Sequence, residues 1–253
     1  MVNIKKLLPG FIRKKLRELK TKHDFQLDLK RVELIRDSSI EDLKKIEYLE
    51  KLIPKLGLNK EVLIEQPEIV KENGGGLLIW QYPNQFSKYL SFLQKQEISS
   101  YLEIGCRWGG TFILTNEYLK KFGKIKKSLA IDIIDSPVQK YCLKNKETEF
   151  WKADSKSDLF KNYMEKNFFD LVLIDGDHSY VGVKNDYEYT KNKAKIFVFH
   201  DIVNNAAEGV VKFWNELKKN KEDYDFFEFK DQYDEVVRKT GNTFLGIGVA
   251  IKK

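Results

Sequence analysis

An α/β fold built on a doubly wound, mostly parallel sheet is what this sequence predicts, and three observations predict it. From residue 100 onward, short apolar runs alternate with amphipathic stretches of helical spacing. The first run, Ser100–Ile104, passes through a turn bearing Gly105, Gly109 and Gly110 straight into a helical pattern at Thr111. The last two runs, about 225–230 and 243–251, have only a short polar stretch between them, which makes them antiparallel neighbours at one edge.

The individual elements follow in order. Strands are expected at 100–104, 127–133, 148–152, 169–174 and 195–199, and helices at 110–121, 137–146, 156–166, 180–192 and 206–219. Asp135, Ser136 and Pro137 supply a cap and a first-turn proline for the second of these helices. Strands joined by helices form right-handed crossovers, so these five lie parallel, with helices on both faces. Ahead of them, Leu77–Pro83 reads as extended and aromatic, and a helix spans about 84–97.

Residues 1–73 have a different texture and are read as a helical extension, with the α/β domain occupying 74–253. Ser39 with Asp42 resembles a capping box, opening a helix over 39–56 whose apolar face is Leu43, Ile46, Leu49 and Ile53. Residues 60–72 are ambiguous, and Asn73-Gly74-Gly75-Gly76 is the best place for a boundary.

The chain carries 45 basic and 38 acidic residues; eight of the bases and one acid lie in residues 1–22, leaving 37 of each sign in the remainder. The net charge of +7 therefore belongs to that arm and says nothing about the rest. Phe11, Ile12, Leu16 and Leu19 give the arm an amphipathic helix. Such a helix can pack on its own domain, join subunits into a homo-oligomer, rest on an anionic membrane surface or meet nucleic acid. No apolar run reaches the length of about 18 residues that a membrane helix needs, no secretory pattern opens the chain, and Cys106 and Cys142 lack metal or redox spacing. A cytoplasmic protein is the expectation.

In a doubly wound sheet, ligands sit beyond the carboxyl ends of the strands. Here those ends carry Glu103 with the glycine turn, Asp132, Asp154-Ser155, Asp175-Gly176-Asp177-His178 and His200-Asp201. One acid at a strand end means little; five at a common rim suggest a site. The glycines would admit a ligand to the backbone, the helix at Thr111 offers unbonded N–H groups, and Asp132 suits two ribose hydroxyls. The alternative is that the glycines only pack helix against strand. A nicotinamide dinucleotide would want G-x-G-x-x-G, and Arg107 obstructs a pyrophosphate; the phosphate-cradling G-x-x-x-x-G-K-[ST] is absent. S-adenosylmethionine remains, its amino-acid end at Glu103, Gly105, Arg107, Gly109, Gly110 and Thr111, its ribose at Asp132 and its adenine beside Asp154 and Ser155. Gln81 and Tyr82 would fold over the cofactor or the acceptor. Trp80 suits the core, and Trp108 either borders the cofactor or packs.

Three segments carry a family resemblance: Trp80-Gln81-Tyr82-Pro83, Leu102 to Thr111, and Phe169 to Tyr180 together with Phe199-His200-Asp201. In these, residues from about 77 to 253 resemble class I S-adenosylmethionine-dependent methyltransferases, in the branch of cephalosporin-hydroxylase-like proteins and macrocin-type sugar O-methyltransferases. The resemblance implies a Rossmann-like seven-stranded sheet with its last strand antiparallel, and transfer of a methyl group to a hydroxyl of a small polar acceptor such as a sugar, a sugar nucleotide or a surface-polysaccharide substituent. It implies His178 as the base, beside Asp175, and a magnesium ion on Asp175, His200 and Asp201. His200 departs from the pattern: magnesium prefers oxygen, so an imidazole there favours a softer divalent ion or none. The plainer readings are a capping role for His178, a loop-fixing bond for His200 and a solvated turn for Asp177. The rival functions are a nucleic-acid methyltransferase anchored by the basic arm, which the charge balance of the catalytic half disfavours, and a non-catalytic cofactor-binding protein.

Overall fold

Alternation along the central strands decides how the layers assemble. In the computed structural model, which describes residues 26–59 and 67–253, strand β4 (Phe169–Ile174) sends Leu171 and Leu173 to one face and Val172 and Ile174 to the other. Strand β5 (Ala194–His200) does the same with Ile196 and Val198 against Phe197 and Phe199. Both faces of these strands are therefore buried, the condition under which a parallel sheet is stable. With β1 (Ser100–Ile104), β2 (Lys127–Asp132), β3 (Thr148–Lys152), β6 (Tyr224–Phe229) and β7 (Ile247–Lys252) they form one seven-stranded sheet in the order β3-β2-β1-β4-β5-β7-β6. β1 to β5 are parallel and β7 runs antiparallel to both β5 and β6. The expected architecture is the one observed.

Helices cover both faces. Counted in chain order, α1 (Glu33–Arg36), α2 (Ile40–Leu43), α3 (Ile46–Leu56), α4 (Glu68–Glu72) and α5 (Pro83–Leu93) precede the sheet. α6 (Gly110–Lys121), α7 (Gln139–Cys142), α8 (Asp158–Lys166), α9 (Tyr180–Thr190), α10 (Glu208–Leu217) and α11 (Asp234–Thr240) alternate with its strands. The first core joins Ile35, Leu49 and Ile53 of the N-terminal helices to Phe86 and Leu90 of α5 and Phe112 of α6, under Tyr101, Leu171 and Ile196. The second lies under α8, α9 and α10, where Phe213, Trp214 and Tyr187 pack on Phe197 and Phe199.

Four expected elements differ. The helix expected over 39–56 is two, broken at Lys45, which is extended. Ser39 caps the first as expected, accepting from the Asp42 amide. Leu43, Ile46 and Leu49 are spaced by three, which falls about 60° short of a full turn at each step; the break resets the face so that Leu43 and Leu49 both reach the core. The helix expected over 84–97 stops at Leu93, and that over 137–146 shrinks to α7 within a run of turns. The stretch 231–242, expected as a loop, contains α11. Its signals are there in retrospect: Asp234 and Glu235 in the first turn, Arg238 and Lys239 in the last, and Gly241 as the left-handed C-cap.

The residues on either side of the expected boundary at 73 are bonded to one another. The Asn59 amide donates to Ile79 O, the Ile79 amide to Gly57 O and the Leu77 amide to Leu56 O, at 2.8–3.0 Å. A buried carboxylate also ties α1 to α6: Glu117 accepts from Arg36 Nε and Nη2, each at 2.9 Å, and from the Tyr141 hydroxyl at 2.7 Å. The basic arm 1–22, and the homo-oligomer, membrane and nucleic-acid contacts weighed for it, lie outside the described residues. Among the described residues no helix is long and apolar enough to cross a membrane.

Candidate functional site

The parallel strands all end at one rim, and the rim encloses a cavity of about 770 Å³. Glu103, Gly105, Arg107, Gly109, Gly110, Thr111, Asp132, Asp154, Ser155, Asp175, His178, His200 and Asp201 all line it. Gln81 does not: it is buried away from the cavity, and its Oε1 has no hydrogen-bond partner. Side chains of an extended segment alternate; Trp80 faces the cavity, so Gln81 faces away. Tyr82 is buried against Tyr233 in a small cluster with Val236, Phe244 and Leu245.

One side of the cavity belongs to β1, β2 and the start of α6. Gly105 (φ 86°) is glycine because a Cβ there would stand 2.3 Å from the Asp175 carbonyl oxygen. The turn's glycines thus serve the chain's own packing first, while the start of α6 has no side-chain cap and its first residues, Gly109, Gly110 and Thr111, line the cavity. Asp132 is held by two backbone amides, Arg107 N–H to Oδ2 at 2.6 Å and Ile134 N–H to Oδ1 at 3.1 Å. A carboxylate has about four acceptor positions, so two remain for hydroxyl donors. Ile133 and Ile134, which the reading of the rim passed over, follow Asp132 as exposed apolar residues lining the cavity. Asp154 accepts the Lys156 amide at 2.8 Å, and the Ser155 hydroxyl donates at 2.6 Å to the buried carboxyl of Asp186 on α9. Burial raises Asp186 to about 6.

Glu103 forms the floor. It is 2% exposed, and its carboxyl accepts the hydroxyl of Tyr101, two residues back on the same strand face. Burial lifts it to about 8; the Tyr101 bond opposes that rise without cancelling it, and the charge of Asp175 adds to it. The Tyr89 hydroxyl is buried nearby without a hydrogen-bond partner.

The opposite side, at the ends of β4 and β5, holds a ring of two imidazoles and two carboxylates. His178 Nε2 lies 3.2 Å from Asp175 Oδ1, and His178 Nδ1 lies 3.3 Å from Asp201 Oδ2. His200 Nδ1 lies 3.1 Å from Asp175 Oδ1 and 3.6 Å from Asp201 Oδ1. Asn204 donates to Asp201 Oδ1 at 2.9 Å, and Asp201 itself sits at φ 64°, a strained value for a residue with a Cβ. Desolvation would raise Asp175, but His200 and His178 outweigh it and hold its carboxyl below the usual range. The bond to Asp175 raises His178. Desolvation would lower His200, but Asp175 and Asp201 outweigh it and raise the ring to about 9. Asp177 is paired with Lys156 at 2.9 Å. Asp175, His200 and Asp201 each offer a ligand atom, all within 4.8 Å of one another, a spacing that one divalent ion can bridge. With a nitrogen among the donors, the set suits manganese, iron or zinc better than magnesium.

No protein-family model matches this chain, and no curated protein matches it. Solved structures do. The O-methyltransferase from Bacillus cereus, in complex with SAH, is 14% identical over 83% of this chain and 100% of its own, with a TM-score of 0.52. The O-methyltransferase TomG from Streptomyces achromogenes, involved in tomaymycin synthesis and in complex with SAM, is 13% identical over 85% of this chain and 91% of its own, with a TM-score of 0.50. At such identities the likeness is one of fold: a Rossmann-like methyltransferase fold, with the strand order found above.

Glu103 gives a stability signature. Its carboxyl titrates near 4.3 in an unfolded chain and at about 8 here, so the folded protein holds an extra proton between those values. A raised carboxyl favours the fold fully below the unfolded value, and that contribution is lost as pH rises through the folded one. The melting temperature is expected to fall from about pH 5 to about pH 8, with a shallower fall in Glu103→Gln. An identical slope in the variant would assign the effect to another group.

Proposed function

We propose that the protein is an S-adenosylmethionine-dependent O-methyltransferase acting on a hydroxyl of a small polar acceptor. The observation that carries this is that one cavity presents two complementary halves. Glu103, the bare start of α6 and Asp132 face a nucleoside-amino acid from one side, and the His178, His200, Asp175 and Asp201 ring faces it from the other. The methyltransferase fold supports the same reading.

The residues divide the work. Asp132 takes the ribose hydroxyls with its remaining lone pairs, Ile133 and Ile134 offer apolar surface to the adenine, and Ser155, fixed by Asp186, stands beside it. Glu103, held protonated by burial, releases its proton to water and pairs as the carboxylate with the cofactor's α-ammonium group. These contacts set the methyl carbon in line with the acceptor oxygen, and positioning is a large part of catalysing a displacement at carbon. The acceptor O–H gives its proton to His178, the oxygen forms a bond to the methyl carbon, and the carbon–sulfur bond breaks, leaving a neutral thioether. As the ring stands, both His178 nitrogens face carboxylates, an arrangement that favours the imidazolium. His178 is a base only after losing that proton. A divalent ion on Asp175, His200 and Asp201, when bound, lowers the pKa of an acceptor hydroxyl as a Lewis acid.

The acceptor class rests on two supports. The three sequence segments resemble sugar O-methyltransferases, and the base half of the cavity is polar, lined by His178, Asp201 and Asn204. A sugar, sugar nucleotide or surface-polysaccharide substituent is therefore the favoured acceptor. A screen for transfer of a labelled methyl group over such compounds tests this, and transfer to nucleic acid alone would overturn it.

Three outcomes follow. Calorimetric binding of S-adenosylmethionine weakens at least about tenfold in Asp132→Ala, the loss of one good hydrogen-bonded contact; undiminished binding would remove the ribose assignment. His178→Gln lowers turnover by about 10²–10⁴. Because His178 is raised, the wild-type rate climbs with pH through a limb above the ordinary imidazole value of about 6.5, and the variant lacks that limb; a limb retained in the variant would assign the base elsewhere. Calorimetry with manganese and with magnesium is expected to show tighter manganese binding that disappears in His200→Ala. Equal affinities, or an unaffected variant, would remove His200 from the ligand set.

A further inference from the structure

Asp186 of α9 is a carboxyl buried behind one wall of the cavity. It is 1% exposed, and the Ser155 hydroxyl donates to its Oδ1 at 2.6 Å. Ser155 lines the cavity and Asp186 does not. We propose that Asp186 is a positioning residue for base specificity: acting through the Ser155 hydroxyl, it makes the adenine wall receive a 6-amino purine and reject a 6-oxo purine. The proposal deepens the methyl-transfer reading and rests on it for where the base lies, though the orientation of the hydroxyl stands on the geometry alone.

A hydroxyl has one hydrogen and two lone pairs, whereas a carboxylate only accepts. Burial raises Asp186 to about 6, which leaves it a carboxylate at neutral pH. Lys156 opposes that rise, and the charges of Asp177 and Asp154 add to it. The single Ser155 hydrogen is therefore committed to Asp186, and Ser155 Oγ turns a lone pair to any other neighbour.

The residue before it has the same polarity. Asp154 also lines the cavity, and its Oδ1 accepts the Lys156 amide at 2.8 Å. Two acceptors in succession thus belong to this wall. The amino group on C6 of adenine carries two N–H donors and can satisfy both. A base with oxygen at C6 would set a third acceptor against them, displacing water with no bond to replace it.

The fold holds the carboxyl there. Asp186 lies on the buried face of α9 with Val183, Tyr187 and Thr190, and Thr190 Oγ1 donates to its carbonyl oxygen at 2.8 Å. Gly176, in the turn after β4, leaves it room: a Cβ there would stand 3.3 Å from Asp186 Oδ2. The bond ties the loop after β3 to the helix after β4, and β2 and β1 lie between those strands in the sheet. Burying a carboxylate is costly. An amide or a hydroxyl at 186 could anchor the loop as well, but either could also donate to Ser155 and turn its hydrogen to the cavity. A carboxylate cannot.

S-adenosylhomocysteine and S-inosylhomocysteine, which carry an amino and an oxo group on C6, are titrated calorimetrically into the protein at about pH 8, where Asp186 is ionised. The adenosyl compound is expected to bind at least about tenfold more tightly. Asp186→Leu, which releases the Ser155 hydrogen, is expected to narrow that ratio at least about threefold, weakening the adenosyl compound and strengthening the inosyl one. Asp186→Asn narrows it less. Ser155→Ala narrows it as well, and adding Asp186→Leu to that variant changes the ratio no further, as it must if Asp186 acts through the hydroxyl. Circular dichroism confirms that each variant is folded. Equal binding of the two ligands to the wild type overturns the proposal. So does an unchanged ratio in Asp186→Leu, with both ligands unaffected or both equally weakened, which would leave the choice of base to Asp154 and give Asp186 a scaffold role alone. A further narrowing by Asp186→Leu in the Ser155→Ala background overturns it too. Should Asp186→Leu not fold, Asp186→Asn and Ser155→Ala decide, and an unchanged ratio in both is fatal. Failure of the wild type to bind either ligand would sink the methyl-transfer reading and this proposal with it, a result distinct from equal binding of the two.

Discussion

The close approach of Gly105 to the carbonyl of Asp175 is the constraint on which the rest of the site depends. β1 lies between β2 and β4, so the chain leaves it toward one side of the sheet and later returns on the other. At that reversal the loops after β1 and β4 diverge and leave a crevice. The two strand ends must nevertheless touch if the crevice is to have a floor. They touch where a side chain on Gly105 would overlap Asp175 O. That contact places Glu103 and Asp175 in one cavity and so brings a nucleoside-binding half within reach of a proton-accepting half.

Electrostatics makes the two halves unlike. Glu103 is buried beside Tyr101 and keeps its proton to about 8. Asp175, less deeply buried, is ionised because two imidazoles face it. Two carboxyls on adjacent strands are thus driven in opposite directions by their neighbours. A cavity with one neutral and one charged acid can receive a cation at the first and hold a base at the second.

Much of this was legible in the sequence. The parallel sheet followed from apolar runs joined by helical patterns, its antiparallel edge from the short stretch between the last two runs, and the rim from an acid at each run's end. The misreadings have physical causes. Gln81 was expected at the cofactor, but an extended segment shows alternate residues to the cavity and Trp80 takes that place. Asp186 reads as one more polar residue of a helix; only the tertiary structure buries it behind Ser155. Tyr101 under Glu103 was within reach, since a spacing of two on a strand puts both on one face, whereas Tyr89 comes from a separate helix and left no local sign. Residues 231–242 hid a helix because, of its side chains, only Val236 is buried, leaving almost no apolar stripe.

The backbone bonds between residues 57–59 and 74–79 join the N-terminal helices to the wall of the cavity. The Asp28 amide donates to Gly76 O at 3.0 Å, and the Asn59 amide to Ile79 O at 2.9 Å, one residue from Trp80. The helices ahead of the sheet therefore act as a buttress for the segment that carries Leu78 and Trp80 to the cavity. A pull on the chain at Asp28 is borne by the same peptide groups that hold one wall of the cavity.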